Sequence, residues 1–172
     1  AEDGIRDYKV TGVQDVCSSD LRRGRTEDFA HAFAIAERAG LLLTPHGGEL
    51  RGPESVRTCL DDLHAERLGH GVRSVEDPAL LERLADAGVT LEICPVSNVS
   101  LGVYSDLSSV PLPTLLESGV GIALGADDPL LFGSRLAGQY ATMRAAHDLD
   151  DATLARSEEH TSELQSPCNL VC

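Results

Sequence analysis

Short apolar runs alternate along the chain with segments in which apolar residues recur every three or four positions. Residues 26–39 (TEDFAHAFAIAERA) show this helical spacing, with Thr26 as the expected N-cap and Gly40 at the end. Further helices are predicted from Pro53, over residues 113–118, and from Ser134 to His147. Another is predicted to begin at Asp77-Pro78 and to end at Gly88, with Leu80, Leu81, Leu84 and Ala87 on its apolar face. Short strands are predicted at residues 41–44, 67–68, 89–94 and 120–124.

The order of these elements predicts an α/β fold. One helix is followed by four strand–loop–helix units, and apolar strands that alternate with helices are typical of a parallel sheet. A (β/α)8 barrel needs eight such units and about 250 residues, whereas the sequence shows four strands. We therefore interpret the chain as the C-terminal half of a (β/α)8 TIM-type barrel, with a four-stranded open sheet as the competing architecture.

The two ends of the chain differ in character from the rest. Residues 1–21 and 156–172 resemble translated DNA-sequencing adapter, the second through its RSEEHTSELQS run. Segments of this kind are set aside before fold reasoning; a pair of natural polar tails is the alternative. The expected domain is the partial barrel of residues 22–155, which is long enough to bury a core.

Composition narrows the classes of partner. The chain has 14 Lys and Arg against 28 Asp and Glu, for a net charge of −14, which argues against nucleic acid or an anionic membrane as a partner. No apolar run reaches the ~18 residues of a membrane span. Outside the two ends, Cys59 and Cys94 have neither disulfide-framework nor CxxC spacing, and this pattern favours a reducing cytoplasm.

Polar residues follow the ends of the predicted strands. In parallel α/β folds this edge of the sheet is where ligands bind. Four short motifs, PHGGE, LGHG, CPVSN and LGADDP, stand there in order, and each is weak on its own. Together they indicate one shared site, to which we expect these residues to contribute: His46, Glu49, His70, Ser97, Asn98, Asp127 and Asp128.

The PHGGE loop offers the clearest chemistry. Gly47 and Gly48 allow the backbone to turn sharply beside a substrate or metal, so we expect Gly48 to contact the substrate. The turn then brings Glu49 back to the same edge of the sheet as His46. A hydrolytic zinc site uses an imidazole as ligand and a nearby carboxylate as proton carrier.

The other two motifs leave more than one interpretation. His70 titrates near neutral pH, but the glycines that flank it could serve only a tight turn. Asp127 and Asp128 repel each other unless a cation or donor pairs with them, which favours a ligand site. A solvated turn, or a helix N-terminus ahead of Pro129, is the alternative for this acidic pair.

The four motifs, in their longer form, resemble the second half of the adenosine deaminase family. They read PHGGELRGPESVR, ERLGHGV, LEICPVSNVSLG and LGADDPLLFG, and the resemblance covers essentially all of residues 41–149. It implies a metallo-dependent hydrolase barrel that uses Zn²⁺ to deaminate an adenine nucleoside hydrolytically at C6, converting adenosine to inosine and ammonia. Many members carry alanine where Gly47 stands, and a bacterial branch shares the glycine.

The resemblance also implies a role for individual residues. His46 and Asp127 correspond to zinc ligands, and Asp128 to a contact on the imidazole side of the purine. His70 corresponds to the residue that orients and helps deprotonate the zinc-bound water. Glu49 corresponds to the acid that protonates the ring nitrogen beside the attacked carbon, so its pocket is expected to raise its pKa.

Several expectations concern the chain as a whole. The family's other two zinc histidines form an HxH pair, which is absent from residues 22–155, so we expect this chain alone to bind zinc poorly and to have little activity. Half a barrel leaves sheet edges unpaired, so we expect it to oligomerise, in a state that the sequence does not define. The expected partner is a small purine nucleoside. The alternatives are deamination of aminodeoxyfutalosine, in menaquinone synthesis, and a non-catalytic barrel fragment.

Overall fold

The computed structural model describes residues 25–157 as a four-stranded sheet with helices before, between and after its strands. The strands are β1 (His46–Gly47), β2 (Arg67–His70), β3 (Thr90–Ile93) and β4 (Gly121–Leu124). The helices are α1 (Ala30–Arg38), α2 (Pro53–Asp61), α3 (Pro78–Asp86), α4 (Pro95–Ser100), α5 (Leu112–Glu117), α6 (Pro129–Phe132), α7 (Leu136–His147) and α8 (Asp151–Ala155). Short 3-10 helices lie at Thr26–Phe29, Val72–Glu76 and Leu107–Ser109.

The four strands are parallel and lie in the order β1-β2-β3-β4. Neighbours along the chain are therefore also neighbours in the sheet. Open doubly wound sheets reverse their strand order at a switch point, whereas a barrel keeps one direction of travel. The predicted α/β class is confirmed, and the uniform order is that of a partial barrel.

A row of apolar side chains crosses the sheet at one level. Leu68 of β2 pairs with Leu91 of β3, and Leu91 pairs with Ile122 of β4. All three side chains are almost completely buried. Burying one such side chain stabilises the fold by about 1.5–3 kcal/mol, so this row fixes the register that aligns the strand ends.

Helix α3 begins and ends as the sequence predicts. The side chain of Asp77 accepts hydrogen bonds from the backbone N–H groups of Ala79 and Leu80, and Gly88 ends the helix with a φ of +67°. Leu80, Leu81 and Leu84 are buried, as expected. The prediction that Ala87 lies on the apolar face is wrong, because it is the C-cap residue and is exposed.

Two predicted N-caps are wrong. Residues 26–29 form a 3-10 turn before α1, and Arg25, not Thr26, precedes that turn. Helix α7 begins at Leu136, and the Ser134 hydroxyl instead accepts a hydrogen bond of 3.1 Å from the Gln139 side chain. In both cases the side chain suited to capping is one residue away from the N-cap position, Thr26 after Arg25 and Ser134 before Arg135.

Strand β1 starts later than the apolar run suggests. Residues 41–45 have no regular secondary structure, although the Leu43 carbonyl accepts from the Arg67 N–H at 3.2 Å and the Pro45 carbonyl from the Gly69 N–H at 2.9 Å. Only His46–Gly47 forms a strand. As a result His46 lies within its strand and not beyond it. His70 likewise is the last residue of β2, which is two residues longer than predicted.

The two ends assigned to adapter lie outside the described residues, apart from Arg156 and Ser157. Their origin stays a prediction, as does the domain boundary at residues 22–155. Within residues 25–157, none of the helices has the length and apolar character that a transmembrane segment requires.

Candidate metal and catalytic site

Three of the predicted site residues meet at the carboxyl edge of the sheet. Glu49 follows β1, His70 ends β2, and Asp127 follows β4. One ligand atom from each of the three lies within 4.8 Å of the others. The expectation that successive strand ends bring these side chains together is confirmed for this trio.

His46 lies beside the trio and not within it. Its ring packs against the His70 ring, with centroids 5.0 Å apart and an interplanar angle of 51°. Gly69, its register partner in β2, makes room for this ring, because a Cβ at that position would lie 3.2 Å from three ring atoms. The sheet therefore holds the imidazole of His46 against one side of the cluster.

Glu49 is a buried carboxyl group with two polar neighbours. Asn98 donates a hydrogen bond from Nδ2 to Oε1 at 3.2 Å, and His70 Nδ1 lies 3.3 Å from the same oxygen. Burial, together with the negative charge of Asp127, raises the pKa of Glu49 to about 7, while the Asn98 hydrogen bond acts in the opposite direction. The predicted direction of this pKa is confirmed, and at neutral pH the group has a substantial protonated fraction.

His70 is held in its neutral form. Burial, and secondarily the neighbouring His46, lowers the pKa of His70 well below its ordinary value. Its Nδ1 is close to Glu49 but lacks the geometry of a hydrogen bond. A neutral, buried imidazole can accept a proton from a water molecule in the cluster.

The backbone is strained at two of the three residues. His70 has a φ of +69° and Asp127 a φ of +57°, in a region that residues with a Cβ rarely adopt. Strain of this kind costs on the order of 1–3 kcal/mol and occurs preferentially at functional sites. Here it points the last residue of β2 and the loop after β4 toward the same space.

Asp127 and Asp128 have different environments. Asp127 joins the cluster, whereas both hydrogen bonds of the Asp128 carboxylate go to backbone N–H groups of Leu130 and Leu131, at 3.0 Å each. Asp128 is thus the N-cap of α6, which was the alternative interpretation of this residue. Its contact with the purine stays a prediction.

Gly48 adopts a conformation that only glycine fits easily. Its φ is +66°, and a Cβ would lie 2.5 Å from Val56 Cγ2 and 3.0 Å from Gly71 Cα. Its N–H donates to the Ser55 hydroxyl at 2.8 Å, and its carbonyl accepts from the Arg73 N–H at 2.9 Å. Since both backbone groups are used within the chain, the predicted substrate contact would require a close approach to its Cα.

The contacts of Asn98 and Ser55 were not predicted from the sequence. Asn98 stood among the polar residues expected near the site, so its place was foreseen but not its bond to Glu49. Ser55 lies in the first turn of α2, and its hydroxyl also donates to the Gly52 carbonyl at 2.9 Å. The ESV pattern around it gives no signal, because a buried serine and an exposed one look alike in sequence.

The donor set suits a divalent cation. Glu49, His70 and Asp127 offer one imidazole nitrogen and two carboxylate oxygens, which Zn²⁺ accepts in proteins. The adjacent Cys94 is a poor candidate, because burial and the nearby Asp127 raise the pKa of its thiol well above the usual range and keep it protonated. Since the His46 imidazole packs against this trio, the described residues fit a zinc site in which some of the four groups are ligands and the others carry protons.

Comparison with known proteins shows the family of the chain. The family model described as adenosine deaminase matches residues 4–164 of the chain. The chain belongs to the adenosine deaminase family. A putative adenosine/adenine deaminase of Streptomyces virginiae is 64% identical over 138 residues, which are 80% of this chain and 41% of that relative. An adenine deaminase of Agrobacterium fabrum is 46% identical over 152 residues, 88% of this chain and 46% of that relative.

Solved structures of the family have the same fold. An adenine deaminase from Arthrobacter aurescens superimposes with a TM-score of 0.63 at 26% identity, covering 89% of this chain and 57% of that one. An amidohydrolase from Burkholderia ambifaria, solved with bound zinc, gives a TM-score of 0.68 at 26% identity, over 75% of this chain and 36% of that one. Among the curated relatives, by contrast, the chain spans less than half of the length of each protein named above.

Proposed function

We propose that the full-length enzyme containing this segment deaminates an adenine ring hydrolytically at C6, with adenosine as substrate and inosine and ammonia as products. The proposal rests on one observation above all: Glu49, His70 and Asp127 meet at the ligand edge of the sheet. Membership of the adenosine deaminase family and the deaminase names of the relatives support it.

The residues of this chain divide the work of the reaction. Glu49, protonated in part at neutral pH, donates a proton to the ring nitrogen beside C6 and makes that carbon electrophilic. Neutral His70 orients the attacking water and accepts its proton. His46 and Asp127 would hold zinc, which when bound supplies a water of lowered pKa, about 7.

A second candidate substrate is the free base adenine. The relatives from Agrobacterium fabrum and Rhizobium leguminosarum are named adenine deaminase, and they are 46% and 49% identical to the matched part of this chain. The chemistry at C6 is the same, so the trio does not discriminate between base and nucleoside. Aminodeoxyfutalosine remains an alternative that rests on the resemblance alone.

We propose the cytoplasm as the location of the enzyme. Cys59 and Cys94 are both buried, and neither forms a disulfide within residues 25–157. Buried cysteines that form no disulfide are compatible with a reducing compartment, and the proposed substrate is a small intracellular metabolite.

The experiment that tests the proposal is steady-state ammonia release by the full-length enzyme with adenosine, adenine and aminodeoxyfutalosine as separate substrates. Adenosine should give the highest kcat/KM. Glu49→Gln should lower kcat by roughly 10²- to 10⁴-fold, because the ring nitrogen loses its acid. Glu82→Gln, an exposed position on α3, is the matched control and should retain activity. No turnover of any adenine compound, or full activity of Glu49→Gln, would refute the proposal.

A further inference from the structure

The strongest unassigned feature of the site is the side chain of Asn98. It is completely buried, and its Nδ2 donates to Glu49 Oε1 at 3.2 Å across a separation of 49 residues. Its own Oδ1 is buried and has no hydrogen-bond partner among residues 25–157. An amide in such a place is costly unless its contact with the site has a function.

Asn98 is held rigidly from both sides. Its N–H donates to the Cys94 carbonyl at 3.0 Å, and its carbonyl accepts from the Val103 N–H at 2.8 Å. Helix α4, which carries it, is anchored at its first turn by Gln139 of α7, whose side-chain oxygen accepts from the Val96 N–H at 3.2 Å. Gln139 is itself fully buried. The amide therefore reaches Glu49 from a fixed platform.

The contact distinguishes the two oxygens of Glu49. Both the Asn98 amide and the His70 imidazole approach Oε1, and Oε2 makes no hydrogen bond to any of the described residues. An oxygen that accepts an N–H cannot at the same time present a proton along that direction. Oε1 is therefore engaged by the chain itself, and Oε2 is the oxygen left to exchange a proton with a substrate.

We propose that Asn98 is a positioning residue that locks the Glu49 carboxyl group and fixes Oε2 as the oxygen that donates the proton to the purine ring. The inference rests on the proposed function, because it needs Glu49 to be the acid. It adds a residue from the third strand unit to a mechanism that otherwise uses the first, second and fourth. It acts through Glu49 and needs no contact with the substrate.

The test is the steady-state kinetics of Asn98→Ala and Asn98→Asp in the full-length enzyme. Both variants remove the N–H donor, and Asn98→Asp keeps the shape of the side chain. We expect kcat to fall roughly 10- to 100-fold with KM nearly unchanged, because a misdirected proton affects the transition state and not substrate binding. Thermal unfolding of each variant identifies loss of the fold.

Two further variants separate positioning from a structural role. Val99→Ala truncates a partly buried apolar side chain of α4, one residue after Asn98, and it should leave kcat within about twofold. In a Glu49→Gln background, Asn98→Ala should cause little further loss, because the two residues act as a unit. If wild-type enzyme deaminates adenine compounds but Asn98→Ala keeps its kcat, or loses no more than Val99→Ala, the inference is wrong. A wild-type enzyme without deaminase activity would instead refute the proposed function.

Discussion

Glu49 shows how a single residue is tuned by its surroundings. This carboxyl group is buried and lies near the negatively charged Asp127. Both conditions favour the neutral form of Glu49 over its charged form. The hydrogen bond from Asn98 favours the charged form, so it reduces the rise in the Glu49 pKa without reversing it. A proton donor that works near neutral pH needs this balance.

The tuning of Glu49 predicts a pH dependence of stability. Its pKa is raised from 4.5 to about 7, so its contribution to the free energy of unfolding is fully present below pH 4.5 and is lost as pH rises through 7. The lost contribution is on the order of 3 kcal/mol. His70, whose pKa is lowered, acts in the opposite direction, losing stability as pH falls below 6.5.

Comparing wild type with Glu49→Gln separates the contribution of the Glu49 carboxyl group to the pH dependence of stability from that of His70. Urea unfolding of the 172-residue chain, in chelator, should show the variant gaining stability relative to wild type between pH 4.5 and 7.5. A difference between the two proteins that does not change with pH would contradict the environment described for Glu49.

The individual site residues could be read from the sequence only in part. His46, Glu49, His70 and Asp127 stand in short motifs at strand ends, and the parallel sheet does bring their loops to one edge. The Asn98–Glu49 bond could not be read, because it depends on the angle at which α4 leaves β3. Asp128 was ambiguous because one carboxylate can serve equally as a helix cap or a ligand.

At the scale of elements, the loop after β1 depends on glycine geometry. Gly48 turns the chain with a φ of +66° while α2 packs directly against it through Val56. The Ser55 hydroxyl then secures the turn by accepting the Gly48 N–H. The loop therefore has one conformation that carries Glu49 into the cluster.

The contribution of packing at Gly48 can be separated from that of backbone strain. Gly88 has nearly the same φ, +67°, but a Cβ there would meet nothing within 4 Å. Gly88→Ala should cost about 1–2 kcal/mol of unfolding free energy through strain alone. Gly48→Ala should cost about 1–3 kcal/mol more through overlap with Val56.

Urea unfolding of Gly88→Ala and Gly48→Ala measures the cost of backbone strain and the additional cost of overlap with Val56. If they are destabilised equally, the close packing of α2 on the loop is wrong. The positions of the glycines were visible in the sequence, but the difference between these two depends on tertiary contacts that no local pattern reports.

At the scale of the whole molecule, β1 and β4 are the two edge strands of the sheet that residues 25–157 form. Among the described residues β1 pairs only with β2, and β4 only with β3. Leu130 and Leu131, which follow β4, are 89% and 72% exposed. The strand count and the direction of the sheet followed from the alternation of elements, whereas the extent to which the edges are covered depends on chain beyond the described residues.

Open parallel edges and exposed leucines favour association of the 172-residue chain. Unpaired backbone groups on an edge strand are templates for another chain. Light scattering coupled to size exclusion should therefore show species larger than a monomer, increasing with concentration. A single monomeric peak at all concentrations would contradict this expectation.

The central claim is that the strand ends form one divalent cation site, and metal content tests it most directly. Atomic absorption on purified full-length enzyme should give about one zinc per chain, and Asp127→Ala should lose most of it. Asp128→Ala, which alters the neighbouring carboxylate that caps α6, should retain the zinc. Full zinc content in Asp127→Ala, or equal loss in both variants, would contradict the account.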